Sequence, residues 1–193
     1  MRFFLDIVLV LALGLGLGGA LSQVSIQNNS GFSALTIGQW TAWPRAGSRD
    51  ADPYTKAKVA AVGEVPLGAA EGIAFHGRLD GDGQPLDLKC NYTVSGQTPL
   101  ARFWTLTAHA QNGDVITSAA GNASMINSRS LIRQSNGTFL VSVGQELRGG
   151  NWIQTSGAGT FELIVRLYDS QITSAEALVE PQMPAITLKG CRS

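Results

Sequence analysis

Runs of basic residues are missing from this chain, and with Lys+Arg 14 balanced by Asp+Glu 14 its formal net charge is zero. A phosphate backbone would find no electrostatic footprint here, so no nucleic-acid partner is expected. Histidine and cysteine are scarce, with two of each. Neither His76 nor His109 stands at Cys/His or HExxH spacing, so no metal site is expected. No GxSxG elbow and no P-loop occurs. Serine-hydrolase and nucleotide-binding chemistry therefore lack their motifs, and no cofactor is implied. Charged residues make up 15% of the chain, against roughly 25% in an average soluble protein. Long charged helices are not expected, and glycine, 23 of 193 residues, points instead to many turns.

What is present begins at the amino end. Phe3 to Leu21 is an apolar run broken only by Asp6 and preceded by Arg2. Its nineteen residues come close to the roughly 20 that cross a bilayer. Two readings compete for residues 1–22. Their length favours an uncleaved transmembrane anchor, whereas Gly14, Gly16, Gly18 and Gly19, with the small residues before Gln23, favour a secretory signal peptide. In both cases residues 23–193 form one domain outside the cytoplasm, because Arg2 is the only early positive charge and keeps the amino end inside. Such a compartment preserves disulfides, so Cys90 and Cys191 are expected to bond. Closing a loop of about 100 residues is worth up to roughly 4.7 kcal/mol in the chain-entropy model, and more often about 2–4. Two buried free thiols are the alternative.

Along the domain, Gln23 to Gly47 is polar and turn-rich, interrupted by Ile37, Trp40 and Trp43, and reads as a docking arm. Asp52-Pro53 opens a short helix that Gly63 stops near Val62. From Gly72 onward the pattern becomes short apolar alternations separated by Gly, Asn, Asp and Ser. Leu88, Cys90, Tyr92 and Val94 form one apolar face, Phe139, Val141 and Val143 another, and Phe161, Leu163, Val165 and Leu167 a third. Asn112-Gly113, Asn136-Gly137 and Gly149-Gly150 mark turns, and Ala119 to Ser130 is expected to loop outward. Pro181 and Pro184 precede a last extended piece from Ala185 that leads to Cys191. The turn Asp80 to Pro85 has the acidic spacing of a calcium loop, but Pro85 stands where the glycine belongs and the closing glutamate is missing. The expected fold class is all-β, mainly antiparallel: a sandwich with one short helix behind the transmembrane or signal segment.

Leu100 to Thr107 reads as a central strand, with Arg102, Trp104 and Leu106 on one face and Phe103, Thr105 and Thr107 on the other. Beside it stand Arg166, Tyr168 and Glu162 on the strand from Thr160, and Trp152 after a turn. Arginines and aromatic rings of this kind could bind a sugar or an anion, the rings by stacking and the guanidinium groups by bidentate hydrogen bonds. The structural alternative is that Arg102 or Arg166 stacks on a neighbouring ring and pairs with Glu162. Asp80, Asp82 and Asp87 are read as turn residues. For a hydrolase, Glu71 or Glu162 would supply the acid or base and an arginine the anchor.

Trp40, Asp52-Pro-Tyr54, Ala57, Glu71, Asp80 to Leu86, Tyr92, Arg102-Phe-Trp-Thr-Leu-Thr107, Asn151-Trp152 and Arg166-Leu-Tyr168 together resemble the bacterial domain of unknown function 1214. The resemblance implies a jelly-roll-like β-sandwich, a bacterial host, and a separate protein carrying the domain of unknown function 1254 as partner. It brings no catalytic residues. With it, the expected location is the bacterial inner membrane, single-pass with the domain in the periplasm, or the periplasm after signal cleavage. Two functions follow as expectations. One is a non-catalytic envelope domain that binds a partner module or envelope glycan; the other is a periplasmic hydrolase acting on a sugar or small envelope metabolite.

Overall fold

Alternating apolar and small polar residues give this chain a series of strands with one dry face, and two such faces must meet. The computed structural model describes residues 2–28, 34–63, 65–68, 70–118, 125–170, 172 and 181–192. The strands are β1 (Leu35–Ile37), β2 (Trp40–Ala42), β3 (Gly72–Gly77), β4 (Cys90–Gly96), β5 (Ala101–Ala110), β6 (Met125–Asn127), β7 (Phe139–Gly144), β8 (Asn151–Gln154), β9 (Phe161–Ser170) and β10 (Ala185–Cys191). They form a six-stranded sheet in the order β1-β2-β3-β9-β5-β6 and a four-stranded sheet in the order β10-β4-β7-β8.

All pairings within the sheets are antiparallel except that of β7 with β8. Residues 145–150 alone join that parallel pair, far fewer than the dozen or more that a crossover usually needs. The Asn151 side chain ties down the start of β8. It accepts from Ile132 N and donates to the carbonyls of Ile132 and Leu140.

The inner faces make one core. Trp104 of β5 packs on Phe139 of β7, ring centroids 5.2 Å apart, and Tyr92 of β4 meets Phe161 of β9 at 5.9 Å, so each contact joins the two sheets. Trp40 is completely buried, and its indole Nε1 donates to Pro184 O at 2.6 Å. Gly77 lets β3 pass over that ring: a Cβ there would lie 2.7 Å from Ile186 and 3.0 Å from Trp40. Burying each large aliphatic side chain stabilises the fold by roughly 1.5–3 kcal/mol before conformational entropy is subtracted.

The helix α2 (Pro53–Val62) follows its sequence signals closely. Asp52 accepts from Tyr54 N and Thr55 N, Pro53 holds the first turn, and Gly63 closes it in the left-handed region at φ 68. The cysteines are joined as expected, with Cys191 of β10 directly opposite Cys90 of β4 and S–S 2.01 Å. An oxidising compartment suits that bond. The helix α1 (Arg2–Asn28) contains an exposed stretch, Phe3–Val24, of mean hydropathy 2.3. At 1.5 Å per residue it spans roughly 33 Å, enough to cross a bilayer, a property signal sequences share.

Two expectations change. Within the supposed docking arm, β1 and β2 form a hairpin turned at Gly38 (φ 57), which extends the larger sheet. Its alternation was obscured because a three-residue strand carries too few positions to show a period. In the supposed outward loop, Met125–Asn127 is β6, paired with β5; residues 119–124 lie outside the described residues.

Candidate functional site

Two polar clusters arise from the central strands. The first lies on the outer face of the larger sheet, where register sets His109 of β5 opposite Glu162 of β9 and His76 of β3 opposite Ile164. Arg78 follows directly after β3. Its Nε donates to Glu162 Oε2 at 2.6 Å, and His76 Nδ1 reaches the same oxygen at 3.3 Å. Trp43, just past β2, covers the pair: its ring meets His76 edge-on at 5.3 Å, and the Arg78 guanidinium lies 5.7 Å above it.

Burial alone would raise the Glu162 carboxyl, but the bond and charge of His76, and then those of Arg78, outweigh it and hold the group at about 2. Glu162 is thus ionised throughout the physiological range. It has no proton to give and little basicity to offer, which suits a structural anion better than a general acid or base.

The same face continues with His109. Its Nδ1 donates to Gly113 O at 2.9 Å, since a carbonyl only accepts, and its Nε2 lies 2.9 Å from Thr107 Oγ1, whose hydroxyl also reaches Ile164 O at 3.4 Å. Arg166 Nη1 lies 3.4 Å from Thr107 Oγ1 and 3.5 Å from His109 Nε2. Tyr168 packs on Phe103 at 5.8 Å. His76, Thr105, Thr107, His109 and Glu162 are all buried, so this is a sealed polar layer.

The second cluster is an open cleft of about 480 Å³ at the beginning of β5. Three arginines line it, each brought by a different element. Arg102 is exposed near the start of β5, and no hydrogen bond or ion pair engages it among the described residues. Arg129 follows β6, where the Asn127 side chain accepts from Arg129 N and Ser130 N and closes a turn. Its guanidinium lies 5.6 Å over the Phe103 ring. Arg133 leads into the turn before β7, where Gly137 takes φ 80, and its Nη1 donates to Gly137 O at 3.2 Å. Gln97, Thr98 and Ser128 add polar groups; Ser128 is fixed by backbone and side-chain bonds to Trp104. Among the described residues the lining contains no carboxylate, histidine or cysteine. Such an arrangement can hold an anion but has no group to move a proton at neutral pH.

The six residues singled out from sequence therefore occupy three places. Arg102 and Trp104 both line the cleft, although Trp104 is 3% exposed and anchors the core. Glu162, Arg166 and Tyr168 lie on the outer face of the larger sheet, opposite to the face of Trp104. The mixed arginine and aromatic surface is therefore not one surface, because β5 and β9 pair so that Phe103, not Trp104, faces the side of Tyr168. Trp152 is on β8 of the other sheet, its Nε1 donating to Gly144 O at 3.2 Å. Glu71 caps a turn by accepting from Gly68 N.

The partner of Glu162 proves to be Arg78 with His76, not Arg102 or Arg166. Only a cross-strand register could have revealed it. Arg129 and Arg133 gave no sequence signal either, since both sit in irregular segments without a period. Asp80 is a turn residue as read: its Oδ1 accepts from Asp82 N and Gln84 N. Among the described residues no three His, Cys, Asp or Glu side chains converge on one point.

No curated protein matches this chain. Among solved structures, the crystal structure of the VPA0106 protein from Vibrio parahaemolyticus is 20% identical, with a TM-score of 0.59 over 92% of this chain and 44% of that one. A putative uncharacterized protein from Burkholderia cenocepacia is 14% identical, with a TM-score of 0.43 over 90% of this chain and 48% of its own. The present chain thus spans less than half the length of either, and the first likeness speaks for the fold alone. The model of a protein family of unknown function, DUF1214, matches residues 71–172, just over half of the chain and the span that carries Glu162, His76, Arg78 and all three arginines of the cleft. The chain belongs to the DUF1214 family.

Proposed function

We propose that this chain is a non-catalytic binding domain of the bacterial cell envelope. Its N-terminal helix holds it at the inner membrane with the sandwich in the periplasm, and the cleft at Arg102 recognises an envelope glycan. The observation that carries this reading is the cleft lining, which combines arginines with hydroxyl and amide side chains and, among the described residues, contains no nucleophilic cysteine, histidine or carboxylate. Of the two carboxylates read from sequence as acid or base, Glu162 is buried elsewhere and bonded to Arg78 and His76, and Glu71 accepts from Gly68 N in a turn. A separate protein carrying the domain of unknown function 1254 is the partner this arrangement would serve, with the glycan-binding domain positioning it in the envelope.

The test uses the full chain in detergent micelles, immobilised and incubated with glycan fractions from a bacterial envelope. Glycans should be retained and eluted at their original length, and retention should fall with Arg102→Ala. Shortened glycans with new reducing ends would establish a hydrolase instead. Equal retention by both forms would take the cleft out of the function.

A further inference from the structure

We infer that the ligand of the Arg102 cleft is anionic: a sugar-sized molecule carrying a phosphate or a carboxylate. The inference rests on the binding reading above and adds the chemical class of what is bound. Elsewhere Arg78 pairs with Glu162, and Arg148 and Arg192 both pair with Glu146. Three of the chain's ten arginines line one concavity that, among the described residues, contains no acid. In a molecule of zero net charge, that is a local concentration of positive potential which the cleft itself does not neutralise.

The donors of these side chains are largely unused by the protein. Each guanidinium carries five N–H donors in a planar fork that matches phosphate and carboxylate oxygens. Among the described residues Arg102 gives none of its donors to the protein, and Arg133 is seen to give one, to Gly137 O. The Arg129 guanidinium lies 5.6 Å over the Phe103 ring. The cleft, at about 480 Å³, is too large for an inorganic anion and lies within the roughly 300–1,000 Å³ of small-molecule sites. Gln97, Thr98 and Ser128 can meet sugar hydroxyls beside the charged group.

Calorimetric titration of the full chain in neutral detergent micelles tests this, using glucose 6-phosphate, glucuronate, glucose and inorganic phosphate as probes. At least one charged sugar should bind at least tenfold more tightly than glucose and more tightly than inorganic phosphate. Its affinity should fall at least tenfold in Arg102→Ala combined with Arg133→Ala, and also as salt is raised. Arg148→Ala, outside the cleft, should leave it unchanged. Arg102→Lys, which keeps the charge but loses the fork, should weaken binding with an unaltered melting temperature, so a folding defect in the double variant would not decide the matter.

Glucose and the charged sugars binding alike, with no response to the arginine substitutions, would overturn the anionic ligand while leaving glycan binding intact. Phosphate binding as tightly as glucose 6-phosphate would overturn the sugar-sized ligand. Absence of binding by every sugar probe would overturn both this inference and the assignment of a glycan to the cleft.

Discussion

Glu162 and Arg102 belong to neighbouring strands of one sheet, β9 and β5, yet their charges meet opposite surroundings. Glu162 is buried, bonded to Arg78 and His76 and roofed by Trp43. Arg102 is exposed, and no protein group neutralises it among the described residues. A buried charge must be paired or it costs several kcal/mol, so the Glu162 layer is committed to holding strands together. An exposed guanidinium is stable in water alone and keeps its donors for a ligand. Conspicuous chemistry in a sequence and available chemistry in a fold are thus different things.

The sharpest way to break this comparison is to remove Glu162. Glu162→Ala leaves buried His76 without its carboxylate and Arg78, whose side chain is 44% exposed, without its counter-charge, and denaturant unfolding should show a loss of roughly 1.5–3 kcal/mol, the usual range for hydrogen bonds to a charged group. A shift below 1 kcal/mol would mean that the layer is not structural.

Acid should reproduce much of that loss in the native sequence. The folded carboxyl titrates at about 2, below its ordinary 4.5. Its ionised form therefore stabilises the native state above 4.5, and the benefit disappears as pH falls from there through about 2. The stability gap between wild type and Glu162→Gln should close by on the order of 3 kcal/mol over that window. A constant gap would refute the paired carboxylate.

Trp43→Ala, which removes the edge contact to His76 and the ring under Arg78, should cost about 1–2 kcal/mol beyond its lost apolar area. At the small end, Arg102→Ala should change stability by no more than about 0.5 kcal/mol, while abolishing most of the response to charged sugars. A large drop in melting temperature on that substitution would erase the distinction between the two clusters.

Much of the architecture was legible before any coordinates. Asp52-Pro53 and Gly63 announced both ends of α2 because capping is local chemistry. Phe161, Leu163, Val165 and Leu167 announced the inner face of β9 because alternation is a property of a single strand. The pair β1 and β2 is too short to show a period, and Trp40 reads from sequence as part of a docking arm when its ring is completely buried in the core. The sites were less legible. Arg102 and Trp104, two residues apart, line one cleft as their shared face implies, but Trp104 is buried in the sandwich while Arg102 is exposed near the start of β5. Arg129 and Arg133, which complete the cleft, carried no signal at all.

By itself, then, the sequence determined the compartment signals, the β class, the helix caps and the cysteine pair, since each rests on composition or on neighbours within a few residues. Tertiary structure alone decided that His76 and Arg78 would close on Glu162 across 86 and 84 positions, and that Arg102, Arg129 and Arg133 would share one cleft. Strand register and turn geometry bring those groups together, and both depend on how the two sheets bury their faces as a whole.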